Sequence, residues 1–285
     1  MRGDTGKMEL ISIIITSYNE GKYLCECLDS VHAQTYENIE VLIVDDKSTD
    51  QNTISILKQL EKRGERVIWL DHGGVSKARN VAAKIATGKY LIFLDGDDKL
   101  ASTYVEKMID VAQYNKDVRM VYTIARLFDS RSYLVPRARP VYKKLLIYNH
   151  YFQVTCLLEK ERFIKIGGFN EKMIYGIEDW ELFLRYCQPG MKVARVNEDL
   201  FYYRKKEHSR TIDVNESIRK TLAMRLEMLH NNFDSYTEFP QVLREYSLDI
   251  ERKRSLKTTL FKIKTVLEMY FYLYLKRGTV SFFEL

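Results

Sequence analysis

The sequence of 285 residues contains only four cysteines and four prolines. So few cysteines argue against a disulfide-linked scaffold and favour a reducing compartment. Long apolar runs are also missing, because the most apolar stretches, Leu10 to Thr16 and Tyr90 to Leu94, are far shorter than the ~20 residues of a membrane-spanning helix. The first residues, Met1 to Asp4, lack the apolar core of a secretion signal. The sequence therefore predicts a cytoplasmic protein, which can still lie on the inner face of the cell membrane.

Two common nucleotide-binding loops are missing as well. The sequence has no Gly-x-Gly-x-x-Gly and no Gly-Lys-[Ser/Thr], which counts against dinucleotide enzymes and P-loop kinases. Cys25 and Cys27 have no second Cys or His pair at zinc-ligand spacing, so we expect them to pack within a helix. The excess of basic over acidic residues, 45 against 39, is too small to predict nucleic-acid binding.

What is present is the composition of a folded protein. Apolar residues make up 46% of the chain and charged residues 29%, which excludes long disordered segments. The length allows one large domain or two closely joined ones. We expect two halves, at residues 8–100 and 101–210, followed by a helical C-terminal extension at 211–285.

Strand-like and helix-like segments alternate through the first half of the chain. Short runs rich in β-branched residues predict four strands, and apolar residues at helical spacing predict the helices between them. The strands are expected at Leu10 to Thr16, Ile39 to Val44, Val67 to Leu70 and Tyr90 to Leu94, and helices at Tyr23 to Gln34, after Asp50, at Lys77 to Thr87 and at Asp179 to Cys187. This alternation predicts an α/β fold with a mostly parallel sheet flanked by helices.

Polar and acidic residues follow three of the predicted strands. They are found at Thr16 to Glu20, at Asp45 and Asp46, and at Asp95 to Asp98. In open α/β sheets, ligands bind beyond the carboxyl ends of the strands, so these residues mark the expected site. Three carboxylates within four residues favour Mg²⁺ or Mn²⁺, which prefer oxygen ligands and bridge substrate phosphates. The alternative is a solvated turn.

Other candidate groups each have a functional and a structural interpretation. Asp46 could accept hydrogen bonds from a base or ribose, or belong to a turn that caps a helix. Asp179 beside Trp180 could act as a general base, or be one of the acidic residues that helix N-termini favour. Lys77 and Arg79 could hold a diphosphate, or lie on a solvated helix face.

Six motifs occur in a fixed order along residues 8–210. They are the strand and loop from Ile13 to Glu20, Val-Asp-Asp-Lys-Ser-Thr-Asp from Val44 to Asp50, Gly-Val-Ser-Lys-Ala-Arg-Asn from Gly74 to Asn80, Asp-Gly-Asp-Asp from Asp95 to Asp98, Glu-Asp-Trp from Glu178 to Trp180, and Tyr-Arg followed by His-Ser from Tyr203 to Ser209. Each motif is loose alone, but the ordered set resembles the family 2 glycosyltransferases of the GT-A fold. Lys47 stands where that family usually has glycine.

This resemblance implies a nucleotide-sugar-binding half at residues 8–100 and an acceptor-binding half at 101–210. It also implies a role for each candidate residue. The nucleoside would be held by Thr16, Tyr18, Glu20 and Asp46, and Arg79 and Lys77 would lie near the diphosphate. Mn²⁺ or Mg²⁺ would be bound by Asp97 and Asp98, with Asp95 close by and with His208 joining when the closing loop folds over. Asp179 would be the catalytic base. Asp46 would face the base of the nucleotide.

The implied reaction is an inverting transfer from a nucleotide-diphosphate donor, expected to be UDP-linked, to a hydroxyl of a glycan or lipid-linked acceptor. By analogy the product is a bacterial surface polysaccharide. One alternative is a nucleotidyltransferase acting on sugar phosphates, but its Gly-rich basic loop is missing between Thr16 and Gly21. Another is an inactive sugar-nucleotide-binding module, which the intact Asp97, Asp98 and Asp179 disfavour.

The last quarter of the chain lies outside the resemblance. Its apolar residues have helical spacing, and basic and aromatic residues surround them. The apolar positions are Leu256, Leu260, Ile263, Leu267, Tyr270 and Tyr274, and the basic ones Lys253, Arg254, Lys257, Lys262, Lys264, Lys276 and Arg277. Such a helix can lie on an anionic membrane. It can equally pack on the catalytic domain or on a second subunit, which leaves a homodimer open.

Overall fold

A computed structural model describes residues 8–129, 133–135, 140, 142–146, 152–206 and 218–236. Within these residues, nine strands form one sheet, and helices cover its two faces. The strands are β1 (Ile11–Ser17), β2 (Ile39–Asp45), β3 (Val67–Trp69), β4 (Tyr90–Asp95), β5 (Lys99–Leu100), β6 (Val118–Asp129), β7 (Tyr133–Val135), β8 (Leu157–Glu159) and β9 (Lys192–Lys205). The helices are α1 (Gly21–His32), α2 (Gln51–Lys62), α3 (Val75–Ile85), α4 (Tyr104–Tyr114), α5 (Tyr142–Leu145), α6 (Lys160–Lys165), α7 (Glu178–Tyr186) and α8 (Ile218–Asn231), followed by a 3-10 turn at Phe233–Tyr236.

The sheet has a parallel half and a mixed half. Its order is β3-β2-β1-β4-β8-β6-β9-β5, with β7 paired to β6. Strands β1 to β4 pair only in parallel with one another, whereas β8 joins β4 and β6 antiparallel. The predicted α/β architecture is confirmed. The predicted parallel pairing holds for strands β1 to β4, and the second half of the sheet adds antiparallel pairs.

The register of the parallel strands brings their polar ends together. Thr16 of β1 lies beside Asp95 of β4, and Ser17 lies beside Asp45 of β2. All seven residues of β1 are buried, so its apolar side chains supply both faces of the sheet. Ile14 packs on the face covered by α3 and α7, while Ile13 packs on the face covered by α1 and α4. This packing holds the strand ends in fixed positions.

Helix α8 belongs to the described part of the C-terminal extension, and it packs on α7. Met224, Met228 and Leu229 are buried in the same core as Trp180 and Phe183 of α7. The predicted amphipathic segment from Lys253 onward lies outside the described residues. In the part of the chain that is described, no helix combines the length and apolarity needed to cross a bilayer.

Candidate active site

A buried arginine joins the acidic loop after β4 to the start of α7. Arg79, in α3, is only 2% exposed. Its two terminal guanidinium nitrogens bind Asp95 Oδ1 at 2.7 Å and Glu178 Oε1 at 3.1 Å. Burial lowers the pKa of Arg79, but the charges of Asp95 and Glu178 more than offset this, and the pKa is raised. Because one guanidinium spans both carboxylates, the Asp-Gly-Asp-Asp loop and the Glu-Asp-Trp helix lie on the same side of the molecule.

Asp179 lies in the first turn of α7, after a strained stretch of backbone. Gly176 has φ 115° and Ile177 has φ 55°, a left-handed conformation that is unusual for a β-branched residue. Asp179 is half-buried, its Oδ1 accepts the Trp180 backbone N–H at 2.7 Å, and its charge contributes to the raised pKa of Arg79. The next residue, Trp180, is buried and donates its Nε1–H to Leu145 O at 2.6 Å. These contacts fix the first turn of α7 close to Arg79.

The acidic residues after β4 have different surroundings. Asp95 Oδ1 accepts a hydrogen bond from Thr16 Oγ1 at 3.0 Å in addition to the Arg79 contact. Asp98 is fully buried, and its Oδ1 accepts the Arg204 backbone N–H at 2.8 Å. Burial, followed by the charges of Asp97 and Asp95, raises the pKa of Asp98 well above its usual value. The carboxylate of Asp97 binds an ammonium group, that of Lys206.

Arg204 anchors this loop from the end of β9. Its Nε donates to Asp97 O at 2.7 Å, and its guanidinium also pairs with Glu26 and Asp129. The guanidinium carbon lies 4.4 Å from the ring centres of both Tyr23 and Phe128. Such stacking and pairing immobilise a guanidinium group. The loop backbone that presents Asp97 is therefore held by a rigid neighbour.

Lys206 follows β9 directly, and sequence reasoning had not selected it. Its Nζ lies 2.7 Å from Asp97 Oδ2 and 2.7 Å from Glu20 Oε1. Burial raises the pKa of Glu20, and the charge of Asp97 raises it further, although the hydrogen bond from Lys206 opposes both. Only the neighbouring Tyr-Arg motif signalled this segment, since Lys206 and Glu20 are 186 positions apart.

Asp46 organises the loop before α3. Its two carboxylate oxygens accept the backbone N–H groups of Gly73 and Gly74 at 2.8 and 2.9 Å, and His72 Nδ1 lies 3.0 Å away. The Tyr18 ring lies 5.3 Å from the His72 ring, and the Lys77 side chain lies against Gly73. Three of the predicted donor-binding residues therefore surround one loop, although their ligand contacts remain predictions.

The residues present suit a divalent cation that is shared with a substrate. Among the described residues, no three His, Cys, Asp or Glu side chains gather closely enough to hold a metal by themselves. Mg²⁺ and Mn²⁺ are usually bound by one or two carboxylates together with substrate phosphates, and Asp97, in the loop after β4, offers such a carboxylate. His208, the other predicted ligand, lies outside the described residues.

The sheet and its acidic loops define a glycosyltransferase of the GT-A fold, and the chain belongs to glycosyl transferase family 2. That family's model matches residues 12–169, more than half of the chain. A second model, described as the N-terminal domain of galactosyltransferase, matches residues 137–209. The predicted family is confirmed by these matches.

Several curated relatives of the chain are named glycosyltransferases, and the name of one of them gives its donor and acceptor. The chain is 30% identical over 220 residues to WfaP of Escherichia coli, named a UDP-Glc:alpha-D-GlcNAc-diphosphoundecaprenol beta-1,3-glucosyltransferase, covering 73% of this chain and 82% of WfaP. Against three further curated glycosyltransferases, the chain spans 58–72% of the relative's length.

Two solved structures share the fold at low sequence identity. Staphylococcus aureus TarS 1–349, in complex with UDP-GlcNAc, aligns with a TM-score of 0.58 and 19% identity over 90% of this chain and 79% of TarS. The mannosyltransferase PcManGT of Pyrobaculum calidifontis, with GDP-Man and Mn²⁺, aligns with a TM-score of 0.62 and 17% identity over 98% of this chain and 78% of its own. At these identities, the likeness supports the fold alone.

Proposed function

We propose that this glycosyltransferase is metal-dependent and inverts the anomeric centre of a nucleotide-diphosphate sugar, with UDP as the nucleotide. The observation that carries the proposal is the Arg79 bridge between Asp95 and Glu178. It ties the acidic loop expected to face the diphosphate to the helix that carries Asp179. A donor on one side of this bridge and an acceptor on the other would meet between the two motifs.

The donor would lie across the carboxyl ends of β1, β2 and β4. Tyr18 and Asp46 would contact the nucleoside with Thr16 and Glu20 nearby, and Lys77 would reach the diphosphate. Arg79, which is buried in its two ion pairs, would act mainly by fixing Asp95 and Glu178 in place. Asp97 and Asp98, joined by His208, would bind Mn²⁺ or Mg²⁺.

The chemistry would then be a single displacement. A bound divalent cation would supply charge neutralisation for the leaving diphosphate. Asp179 would accept the proton of the acceptor hydroxyl, whose oxygen attacks the anomeric carbon from the face opposite the leaving group. A transition state of oxocarbenium character is expected, as in glycoside hydrolysis. No covalent enzyme intermediate is required, because one attack suffices.

The acceptor would be a glycan or a lipid-linked sugar used for a surface polysaccharide. WfaP, whose name specifies a UDP-glucose donor and a diphosphoundecaprenol-linked acceptor, motivates this part of the proposal. A lipid-linked acceptor suits an enzyme with a basic, aromatic C-terminal segment, since such a segment binds anionic membranes. We therefore include peripheral contact with the inner face of the cell membrane in the proposal.

A panel of sugar nucleotides tests the reaction without knowledge of the acceptor. With Mn²⁺ present, we expect slow hydrolysis of one UDP-sugar to UDP and free sugar, and NMR should show inversion in the first-formed anomer. A nucleotidyltransferase would instead release pyrophosphate from a nucleoside triphosphate and a sugar phosphate. An inactive binding module would bind a sugar nucleotide without turning it over.

Asp179→Asn tests the catalytic base. The variant should bind the sugar nucleotide with unchanged affinity, because the substitution preserves shape, but transfer should fall about 10²- to 10⁴-fold. Calorimetric donor binding and a transfer assay measure the two effects separately. Transfer at the wild-type rate would show that another group removes the proton.

A further inference from the structure

The ammonium of Lys206 lies where a divalent cation would approach Asp97. Its Nζ is 2.7 Å from Asp97 Oδ2 and 2.7 Å from Glu20 Oε1, so one cation bridges carboxylates from two separate loops. Glu20 precedes α1, and Asp97 follows β4. The three side chains are 16–25% exposed, which leaves solvent little opportunity to screen their charges.

We propose that Lys206 is a built-in cation that occupies Asp97 and Glu20 in the donor-free protein and so opposes divalent-cation binding until a diphosphate arrives. This inference rests on the proposed function, because it takes Asp97 as a metal ligand. Asp97 Oδ2 cannot keep its hydrogen bond to the ammonium and also coordinate a metal at full strength. A metal that binds Asp97 through Oδ2 in the donor-free protein would therefore displace Lys206.

A diphosphate would change this balance in two ways. Its oxygens add the ligands that Mg²⁺ and Mn²⁺ need beyond one or two carboxylates. Its negative charge also offers the displaced ammonium a new partner. Metal and donor would therefore bind together, and the donor-free protein would carry little metal.

The anchoring of neighbouring residues makes this competition local. Arg204 holds the Asp97 backbone through its Nε, and Asp98 is occupied by the Arg204 N–H. The loop that carries Asp97 can therefore stay in place when the ammonium leaves. Lys206, two residues beyond Arg204, has to move only its own side chain.

Titration of the full chain with Mn²⁺ alone, followed by electron paramagnetic resonance of the free ion, tests the inference. Lys206→Gln should bind Mn²⁺ at least about tenfold more tightly than the wild type, which corresponds to ~1.4 kcal/mol. Lys205→Gln is the matched control, since it removes the same charge from the adjacent position and should leave Mn²⁺ affinity unchanged. Adding Asp97→Asn to Lys206→Gln should abolish the gain.

Lys206→Arg keeps the positive charge and should bind Mn²⁺ as weakly as the wild type. If circular dichroism shows that Lys206→Gln no longer melts cooperatively, the arginine variant still tests the proposal. Tight Mn²⁺ binding by Lys206→Arg would overturn it. The proposal is equally overturned if folded Lys206→Gln binds Mn²⁺ no better than the wild type. A UDP titration of the same samples separates the two hypotheses. Tighter Mn²⁺ binding without any UDP binding would support the Lys206 inference while removing the UDP assignment.

Discussion

Lys47 takes up a left-handed backbone conformation, with φ of 63°, at the turn where the family motif usually has glycine. Asp45 stabilises the turn by accepting hydrogen bonds from the backbone N–H and the hydroxyl of Ser48. The left-handed region is costly for residues with a Cβ atom, which explains why glycine is common there. The turn therefore forms without glycine, but at an energetic cost.

Lys47→Gly should raise the free energy of unfolding by about 1 kcal/mol, because glycine adopts this conformation without a steric penalty. The lost ion pair with Asp71 is long, at 3.4 Å, and exposed, so it contributes little. Urea unfolding measures the change. Lys47→Ala is the control, since it removes the ion pair but keeps the backbone strain, and a gain as large as that of glycine would contradict this explanation.

Asp98 is a buried carboxylate whose charge should destabilise the folded protein. Its pKa is raised well above the usual value, mainly by burial. Protonated Asp98 contributes its full share to the free energy of unfolding below the unfolded-state pKa of about 4. This contribution is lost as the pH rises through the folded-state pKa. The protein should therefore lose stability over that interval through this residue.

Asp98→Asn keeps an oxygen acceptor for the Arg204 N–H and removes the buried charge. At pH 8 we expect the free energy of unfolding to rise by on the order of 1 kcal/mol. The difference from the wild type should shrink toward pH 4, where both side chains are neutral. Urea titrations at several pH values measure this trend, and a variant that is less stable at pH 8 would show that the charge is compensated.

At the scale of elements, the backbone before α7 controls where Asp179 lies. A Cβ atom at Gly176 would meet no atom within 4 Å, so substitution there acts only through the unfavourable φ of 115°. Gly176→Ala should cost about 1–3 kcal/mol of stability. It should also slow transfer about 100-fold, because a shift of about 1 Å at a reacting group has an effect of that size.

Gly190→Ala is the matched control for this prediction. Gly190 lies between α7 and β9, has φ 83° and likewise has open space around its missing Cβ. Both alanine variants should lose similar stability in urea unfolding, whereas only Gly176→Ala should lose transfer activity. Equal loss of activity in the two variants would mean that the strain before α7 has no specific catalytic effect.

Elements of the first half could be predicted because their signals are local. The apolar run of β1 and the capping Asp50 of α2 mark their elements without reference to distant residues. In contrast, β9 runs from Lys192 to Lys205, and no apolar run marks its first half, because four of the first seven residues are polar and only Val196 is buried. Its pairing with β6 stabilises that half, and sequence spacing does not reveal such pairing.

The same distinction applies to the candidate site. Polar residues at strand ends were expected to gather, and the Thr16 to Asp95 hydrogen bond shows that they do. Arg79 and Glu178 are 99 positions apart, and Lys206 and Glu20 are 186 apart. Each of these ion pairs forms only because the sheet brings distant loops together, so the sequence could suggest Arg79 and the acidic groups but neither Lys206 nor the pairs that form.

At the scale of the whole molecule, the basic C-terminal segment carries the membrane proposal. In flotation with vesicles that contain phosphatidylglycerol, we expect the full chain to rise with lipid and a chain ending at residue 249 to remain below. Each basic residue near an anionic surface contributes ~1 kcal/mol, so salt should weaken flotation. Flotation that is unchanged by the truncation would favour packing on the catalytic domain or on a second subunit.

The Arg79 bridge also limits how this enzyme could be recombined with its relatives. One partner, Asp95, comes from the parallel half of the sheet, and the other, Glu178, comes from the later half of the chain. A chimera whose exchanged half lacked the matching carboxylate would leave the buried guanidinium with one of its two partners, and removal of one partner from a buried ion pair typically costs about 3–5 kcal/mol. Changing the acceptor by grafting should therefore succeed only when the graft brings a carboxylate for Arg79, which gives protein engineers a simple criterion for choosing where to join the two parents.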